Sequence, residues 1–295
     1  MKDSFAAIVI LAVCLSGQAQ QMDVLKIDVD VVLINATVYG PRGRVVTGLG
    51  PQSFHVWEDK VEQKIEYLSQ EEVPLSIGII FDASGSMQGK ASKARDAATT
   101  FLESGNREDE YFLVEFSDRP RLAERFTPDV SRLQNRLLFL PTRGRTALFD
   151  AVYLGLEKLK ESPNVRKALL LISDGEDNHS RYTFSEIKEF AKERDVQIFA
   201  IGILNVPGSR TGRTILEDLA AITGGKAFFP TNLNELGAIC TQITTEMKSQ
   251  YIIAYRSTNG AKDGRWRKVH VRVTNKNGAP PLSVRTRPGY YSQGQ

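Results

Sequence analysis

The chain has 295 residues, 41% hydrophobic and 25% charged, a composition that supports one large packed domain or two modest ones and excludes a disordered chain. Its 38 basic and 35 acidic residues are interspersed and leave a net charge of +3, which excludes a nucleic-acid footprint. Two cysteines and three histidines, His55, His179 and His270, lie far apart and without ligand spacing, which excludes a Cys/His zinc site.

The N-terminus reads as an export signal. Lys2 supplies a positive start, residues 5–15 form an apolar stretch too short to span a bilayer, and "SGQAQ" places Gly17 and Ala19 at the small-residue positions of a cleavage site. Residues 1–20 are therefore expected to leave, giving a periplasmic or secreted protein with no transmembrane span in the remainder. Cys14 lies in that segment, and Val13 is larger than the residue a lipoprotein cleavage box accepts, so lipid anchoring is not expected. Cys240 is then alone, at helical spacing from Leu236, Ile243 and Met247, and reads as a buried apolar thiol.

Residues 21–73 carry a β pattern. "KIDVDVVLINATVYG" alternates and ends at the turn "GPRG". "SFHVWEDKVEQKIEYL" alternates through Phe54 and Val56, then Val61, Ile65 and Tyr67, around a polar "EDK" turn, as a hairpin does. Over residues 74–249 the pattern changes. "LSIGIIF", "EYFLVEF", "KALLLIS" and "VQIFAIGI" are short apolar runs of the kind buried on both faces. Helical patterns at 90–103, 147–160, 184–194, 214–223 and 232–248 separate them or follow them, and "RPRLAERF" suits a short antiparallel edge strand. "ITGGKAFF" reads as a helix stop at Gly224 and Gly225 leading into a short strand. This alternation predicts an α/β fold with a doubly wound, mostly parallel, Rossmann-like sheet. Residues 250–295 return to β, with "QYIIAYRS", "RWRKVHVRVT" and "LSVRTRPGYY". The first β section is short for an independent domain, so the two are expected to pack as one sandwich with the α/β domain inserted between them. Trp57 and Trp266, at alternating spacing in these sections, are expected to be core residues.

In an open α/β sheet, ligands bind at the carboxyl ends of the strands. After "IGIIF" comes Asp82-Ala83-Ser84-Gly85-Ser86, after "KALLLIS" comes Asp174 in "DGEDN", and "TRGRTALFDAV" places Thr146 just before a helix. Asp82, Ser84 and Ser86 alternate, so an extended turn can point all three to one side. With Thr146 and Asp174 they offer two carboxylates and three hydroxyls, all hard oxygen donors, a set that suits Mg²⁺ with Mn²⁺ or Ca²⁺ as competitors. Two carboxylates balance a divalent ion and no more, so the ion would stay electrophilic and could accept an incoming carboxylate.

Asp82-Ala83-Ser84-Gly85-Ser86, "GRTALFDA" and "LLLISDGEDN", in that order, resemble the D-x-S-x-S, Thr and Asp parts of the metal-ion-dependent adhesion site of the von Willebrand factor A domain family. The resemblance covers residues 74–249. More loosely, the whole chain is similar to a bacterial group of secreted proteins that carry this domain between β segments. It implies a Rossmann-like adhesion and protein-binding module in which Asp82, Ser84, Ser86, Thr146 and Asp174 hold the ion. A protein or envelope partner would supply the last ligand from a Glu or Asp. It also implies that the helix at 232–248 could move on binding and pull on the β section that follows.

Asp82, Ser84 and Ser86 by themselves would equally suit a strand-ending turn and helix cap. Glu176, Asp177 and Asn178 read as solvated loop residues that add negative potential, Arg143 and Arg145 as loop arginines flanking the site, Asp150 as a buttress of the next helical turn, and His179 as no ligand. A hydrolase would need a base beside Ser84 or Ser86, and the sequence offers no such histidine and no G-x-S-x-G elbow. A structural envelope subunit with a vestigial metal site is the other alternative.

Overall fold

The computed structural model describes residues 31–204, 210–275 and 280–294. The expected export signal, Cys14 and the start of the first β section lie outside the described residues.

The first β section forms β1 (Val31–Tyr39), β2 (Phe54–Glu58), β3 (Val61–Gln63) and β4 (Ile65–Ser69). The α/β section follows as β5 (Leu75–Asp82), α1 (Ala91–Glu103), β6 (Glu110–Phe116), β7 (Pro120–Thr127), α2 (Val130–Leu138), α3 (Leu148–Lys158), β8 (Arg166–Ser173), α4 (Phe184–Lys192), β9 (Gln197–Gly202), α5 (Arg210–Ile222), β10 (Ala227–Phe228) and α6 (Leu236–Lys248). The chain closes with β11 (Tyr251–Arg256), β12 (Trp266–Val273), β13 (Ser283–Arg285) and β14 (Gly289–Tyr291).

The central sheet has the order β10-β9-β8-β5-β6-β7 and is parallel except for β7, which runs antiparallel to β6 at the edge, as its sequence predicts. The apolar runs form strands because both sheet faces are covered: every residue of β5 and of β9 is buried. Ile77, Ile79 and Phe81 face Ala94, Phe101 and Ile243 on one side, where Cys240 is also fully buried. Ile80, on the alternate face, joins Val152, Leu156, Ile187 and Leu216. One helix escaped the sequence reading. In α2, Asp129 Oδ1 accepts the Ser131 N–H at 3.1 Å as an N-cap, and only Leu133 and Leu137 are buried, so its apolar stripe is too narrow to stand out.

The two β sections interleave. One sheet has the order β13-β1-β11-β4 and the other β14-β12-β2-β3, so each mixes strands from both ends of the chain. Val32, Ile34, Phe54, Val56, Ile253, Tyr255, Val269 and Val271 form one core between them. The expected alternation through Val61, Ile65 and Tyr67 does not hold as one strand. The β2–β3 hairpin turns at Asp59 and Lys60, both at positive φ, and the chain then leaves that sheet for the other, so Val61 and Tyr67 are exposed while Gln63 is buried. The tryptophans also depart from expectation. Both are only half-buried: Trp57 stacks between His55 and His270, and Trp266 meets Tyr291 edge-on.

A polar knot joins the sandwich to the α/β section. Glu246 of α6, fully buried, accepts the Tyr39 hydroxyl at 2.7 Å and the Arg285 guanidinium at 2.6 Å, with Lys226 at 3.3 Å. Burial pushes this carboxyl up, but Arg285, Tyr39 and Lys226 together hold it below the usual glutamate range.

Candidate functional site

Asp82 ends β5 and Asp174 follows β8, adjacent parallel strands, so sheet register brings both carboxylates to the same rim. Backbone hydrogen bonds lace the three motif-bearing loops together. Gly85 N–H donates to the Gly144 carbonyl at 3.0 Å and Arg143 N–H to the Ala83 carbonyl at 2.9 Å, which ties the Thr146 loop to the Asp82–Ser86 loop. Asn178 and His179 N–H groups both donate to the Thr146 carbonyl, at 3.0 and 3.1 Å, which ties it to the Asp174 loop. Two glycines allow this. Gly144 has φ of +84°, and Gly175 has φ of +77° with its Cα so close to α5 that an added Cβ would stand 2.4 Å from the Gly212 carbonyl oxygen.

Asp82 is fully buried. Its Oδ1 accepts the Ser84 N–H at 2.9 Å and its Oδ2 the Ser173 hydroxyl at 2.6 Å. Burial raises its pKa to about 6 against these hydrogen bonds, with Asp174 adding a smaller push in the same direction. Ser84 and Ser86 hydroxyls meet at 2.9 Å. Thr146 and Asp174 are each only 2% exposed. Asp174 Oδ1 accepts the Glu176 N–H at 3.2 Å, but its Oδ2 is buried without a hydrogen-bond partner.

Sheet register and these backbone contacts therefore bring the three loops that carry the five expected residues to one rim, and one buried carboxylate oxygen there accepts no hydrogen bond. Among the described residues no group of three or more His, Cys, Asp or Glu could hold a metal, so an ion at this rim would rest on two carboxylates and hydroxyls.

Two contributors were not singled out from sequence. Ser173 donates to Asp82 and accepts the Gly175 N–H at 3.0 Å, fixing the first carboxylate and the turn after the second. Lys90 donates to the Ile203 carbonyl at 2.9 Å and stands 3.9 Å from Asp174 Oδ2. Burial lowers its pKa, against the pull of Asp174, Asp82 and Glu176. "LISDG" and "GSMQGK" held both, but neither residue type announces a role without the strand pairing that brings it there.

The loop after Asp174 corrects another expectation. Asp177 and Asn178 are not simply solvated: Asp177 Oδ1 accepts the Phe149 N–H at 3.3 Å and Asn178 Oδ1 the Thr146 N–H at 3.0 Å, at the start of α3. Asp150 acts as the expected buttress, accepting Arg181 N–H and Nε at 2.9 and 3.0 Å. His179 Nδ1 faces the Arg145 guanidinium at 3.4 Å, and Arg143 and Arg145 are both exposed.

The family model of the von Willebrand factor type A domain matches residues 76–242, more than half of the chain. A comparison with curated proteins finds no match. Among solved structures, a von Willebrand factor type A protein from Catenulispora acidiphila is similar at 13% identity and a TM-score of 0.53, over 90% of this chain and 74% of its own. That match extends beyond the α/β section into the sandwich. The PilB minor pilin from Streptococcus sanguinis is similar at 15% identity and a TM-score of 0.51, over 61% of this chain and 63% of its own. The von Willebrand factor domain of the type V pili tip protein Mfa5 from Porphyromonas gingivalis matches at 14% identity and a TM-score of 0.51, over 60% of this chain and 97% of its own. At these identities the likeness is one of fold.

Proposed function

The chain belongs to the von Willebrand factor type A domain family, and we propose that it is an exported, metal-dependent binding module that captures a protein or envelope partner through a partner carboxylate. The observation that carries this reading is the buried Oδ2 of Asp174, which accepts no hydrogen bond and has only the Lys90 ammonium 3.9 Å away, beside a second buried carboxylate and a pair of serine hydroxyls. A buried carboxylate oxygen without a donor is costly, and a divalent cation satisfies it. Asp82, Ser84, Ser86, Thr146 and Asp174 would hold the ion, Mg²⁺ first among hard cations. The bound ion would supply an electrophilic position for one Asp or Glu of the partner. Ser173 and Lys90 would orient and balance the two carboxylates.

A binding role is favoured over hydrolysis because the two serine hydroxyls meet each other and the neighbouring imidazole of His179 faces Arg145 rather than either serine. Among the described residues no helix is long and apolar enough to cross a membrane, and the expected signal at residues 1–20 supports export. The same fold in a minor pilin and a pilus tip protein is in keeping with work at a cell surface.

Titration calorimetry with Mg²⁺, Mn²⁺ and Ca²⁺ against the wild type and Asp82→Ala tests the site. Saturable binding lost in the variant is expected, and no binding by the wild type would sink the proposal. Recovery of partners from envelope extract, with Mg²⁺ and with EDTA, then tests capture; equal recovery in both conditions would remove the metal-dependent role.

A further inference from the structure

A groove leaves the metal rim along the edge of the central sheet. A cavity of about 550 Å³ opens beside Ala83, the residue between Asp82 and Ser84, and is walled by Arg119, Arg121 and Arg143 over Glu115. A second cavity of about 530 Å³ shares Glu115, Arg121 and Pro141 with the first and reaches Phe139. The two form one path from the candidate ion site, past β7, to the end of α2. There Phe139 is 84% exposed.

The charges along this path are unbalanced. Arg121 pairs with Glu115 Oε1. Arg119 and Arg143 have no side-chain partner among the described residues. Three guanidinium groups thus face one carboxylate. The second oxygen of that carboxylate, Glu115 Oε2, is buried and unpartnered. Arg143 is fixed relative to the ion loop by its own N–H, which donates to the Ala83 carbonyl at 2.9 Å. A guanidinium without a partner is a planar two-pronged carboxylate receptor.

We infer that this groove is the specificity subsite of the carboxylate-binding rim, and that it takes an extended acidic segment of a partner protein. The segment places one Asp or Glu on the ion, further carboxylates against Arg143 and Arg119, and a bulky apolar side chain against Phe139. The inference rests on the metal-dependent binding proposed above. The apolar end of the path argues for a protein segment over an anionic polysaccharide, which has no group for an exposed phenylalanine to bury. The arginines supply orientation and rate of encounter as well as contact.

The test is an array of octapeptides, each with one fixed Asp among varied neighbours, probed with the full chain in Mg²⁺ and in EDTA, with heparin retention measured alongside. The wild type in Mg²⁺ should retain peptides enriched in Asp and Glu next to the fixed Asp and in an aromatic or aliphatic residue farther out on the same side. Arg119→Gln/Arg143→Gln, both exposed positions, should keep its thermal midpoint, while its retention of every fixed-Asp peptide falls but still requires Mg²⁺. It should lose the preference for neighbouring acids by about tenfold or more, the scale of one lost charge-assisted hydrogen bond. Phe139→Ser should flatten the apolar preference alone. An unchanged preference in the double variant overturns the inference, as does a wild type that retains no peptide or selects none by charge. Heparin retention that needs the two arginines, with peptide selection that does not, overturns it in favour of a polysaccharide patch. Acid selection by the wild type that survives EDTA would support the groove and sink the metal reading, so the two can fail separately.

Discussion

Replacing Lys90 with Met should tighten Mg²⁺ binding, although Lys90 is the cation beside Asp174. Its Nζ is held by the Ile203 carbonyl and stands 3.9 Å from Asp174 Oδ2, with the two side chains 13% and 2% exposed. At an effective dielectric constant near 20, unit charges 3.9 Å apart interact by about 4 kcal/mol. In the metal-free protein this attraction offsets part of the cost of burying Asp82 and Asp174 together. A divalent ion that takes the free Asp174 oxygen competes with that attraction and is itself repelled by the ammonium. If only a third of the interaction separates the two states, the difference is about 1.4 kcal/mol, or roughly tenfold in affinity. Met preserves the length of the stem without the charge. Calorimetric titration at fixed ionic strength should give at least that tenfold gain for Lys90→Met. The chelated variant should also melt below the chelated wild type, because the two carboxylates have lost their counter-charge. Equal or weaker affinity in a folded Lys90→Met protein would refute the reasoning, and so would a chelated variant as stable as the wild type.

Asp82→Asn separates metal binding from folding. The folded pKa of Asp82, about 6, lies above the ordinary aspartate value, so the metal-free fold is most stable below the unfolded pKa and loses that margin as pH rises through about 6. The loss amounts to about 3 kcal/mol at pH 8. In EDTA at pH 8, urea unfolding should find Asp82→Asn at least as stable as the wild type and without any Mg²⁺-induced shift; a less stable variant, or a retained shift, contradicts this. Ser173→Ala removes the 2.6 Å hydrogen bond to Asp82 and the acceptor for Gly175 N–H, and should weaken Mg²⁺ affinity by roughly tenfold or more, since a hydrogen bond to a charged group contributes about 1.5–3 kcal/mol. Unchanged calorimetric affinity would show that Ser173 does not position Asp82. Glu246→Gln should cost about 3 kcal/mol near neutral pH, the low end for breaking a buried pair because Lys226 and Arg285 keep some access to water. The Glu246 pKa is depressed on folding, so its contribution is present above the unfolded glutamate pKa and is lost as pH falls through the folded value. The gap between variant and wild type should close on acidification, and a gap independent of pH would argue against the charge pairing.

The extension of the fold likeness across 90% of the chain in the Catenulispora acidiphila protein shows that the sandwich and the α/β section recur together. In this chain Glu246, Tyr39 and Arg285 bind the two parts through fully or largely buried polar contacts, and Arg166 reaches the Met247 carbonyl and Gln250 at the point where α6 passes into β11. Any displacement of α6 would have to break or carry these contacts.

Element types and their order were legible in the sequence because they depend on local periodicity. Unbroken apolar runs such as "LSIGIIF" and "KALLLIS" suit strands covered on both faces, and helical spacing identified α1, α3, α4, α5 and α6. The D-x-S-x-S run, Thr146 and Asp174 were also readable, since each is a residue type at a strand or helix end. What tertiary structure decided is everything that depends on closure between distant segments. Only the interleaving of β1 with β11 and of β2 with β12 determines which face of each β strand is buried, and so leaves Val61 and Tyr67 in water and Trp57 only half-buried. Only the pairing of β5 with β8 puts the Ser173 hydroxyl on Asp82. The unpartnered oxygen of Asp174 is the sharpest case. A sequence shows that a carboxylate exists, but whether each of its oxygens finds a donor depends on which groups the completed fold brings within hydrogen-bond reach.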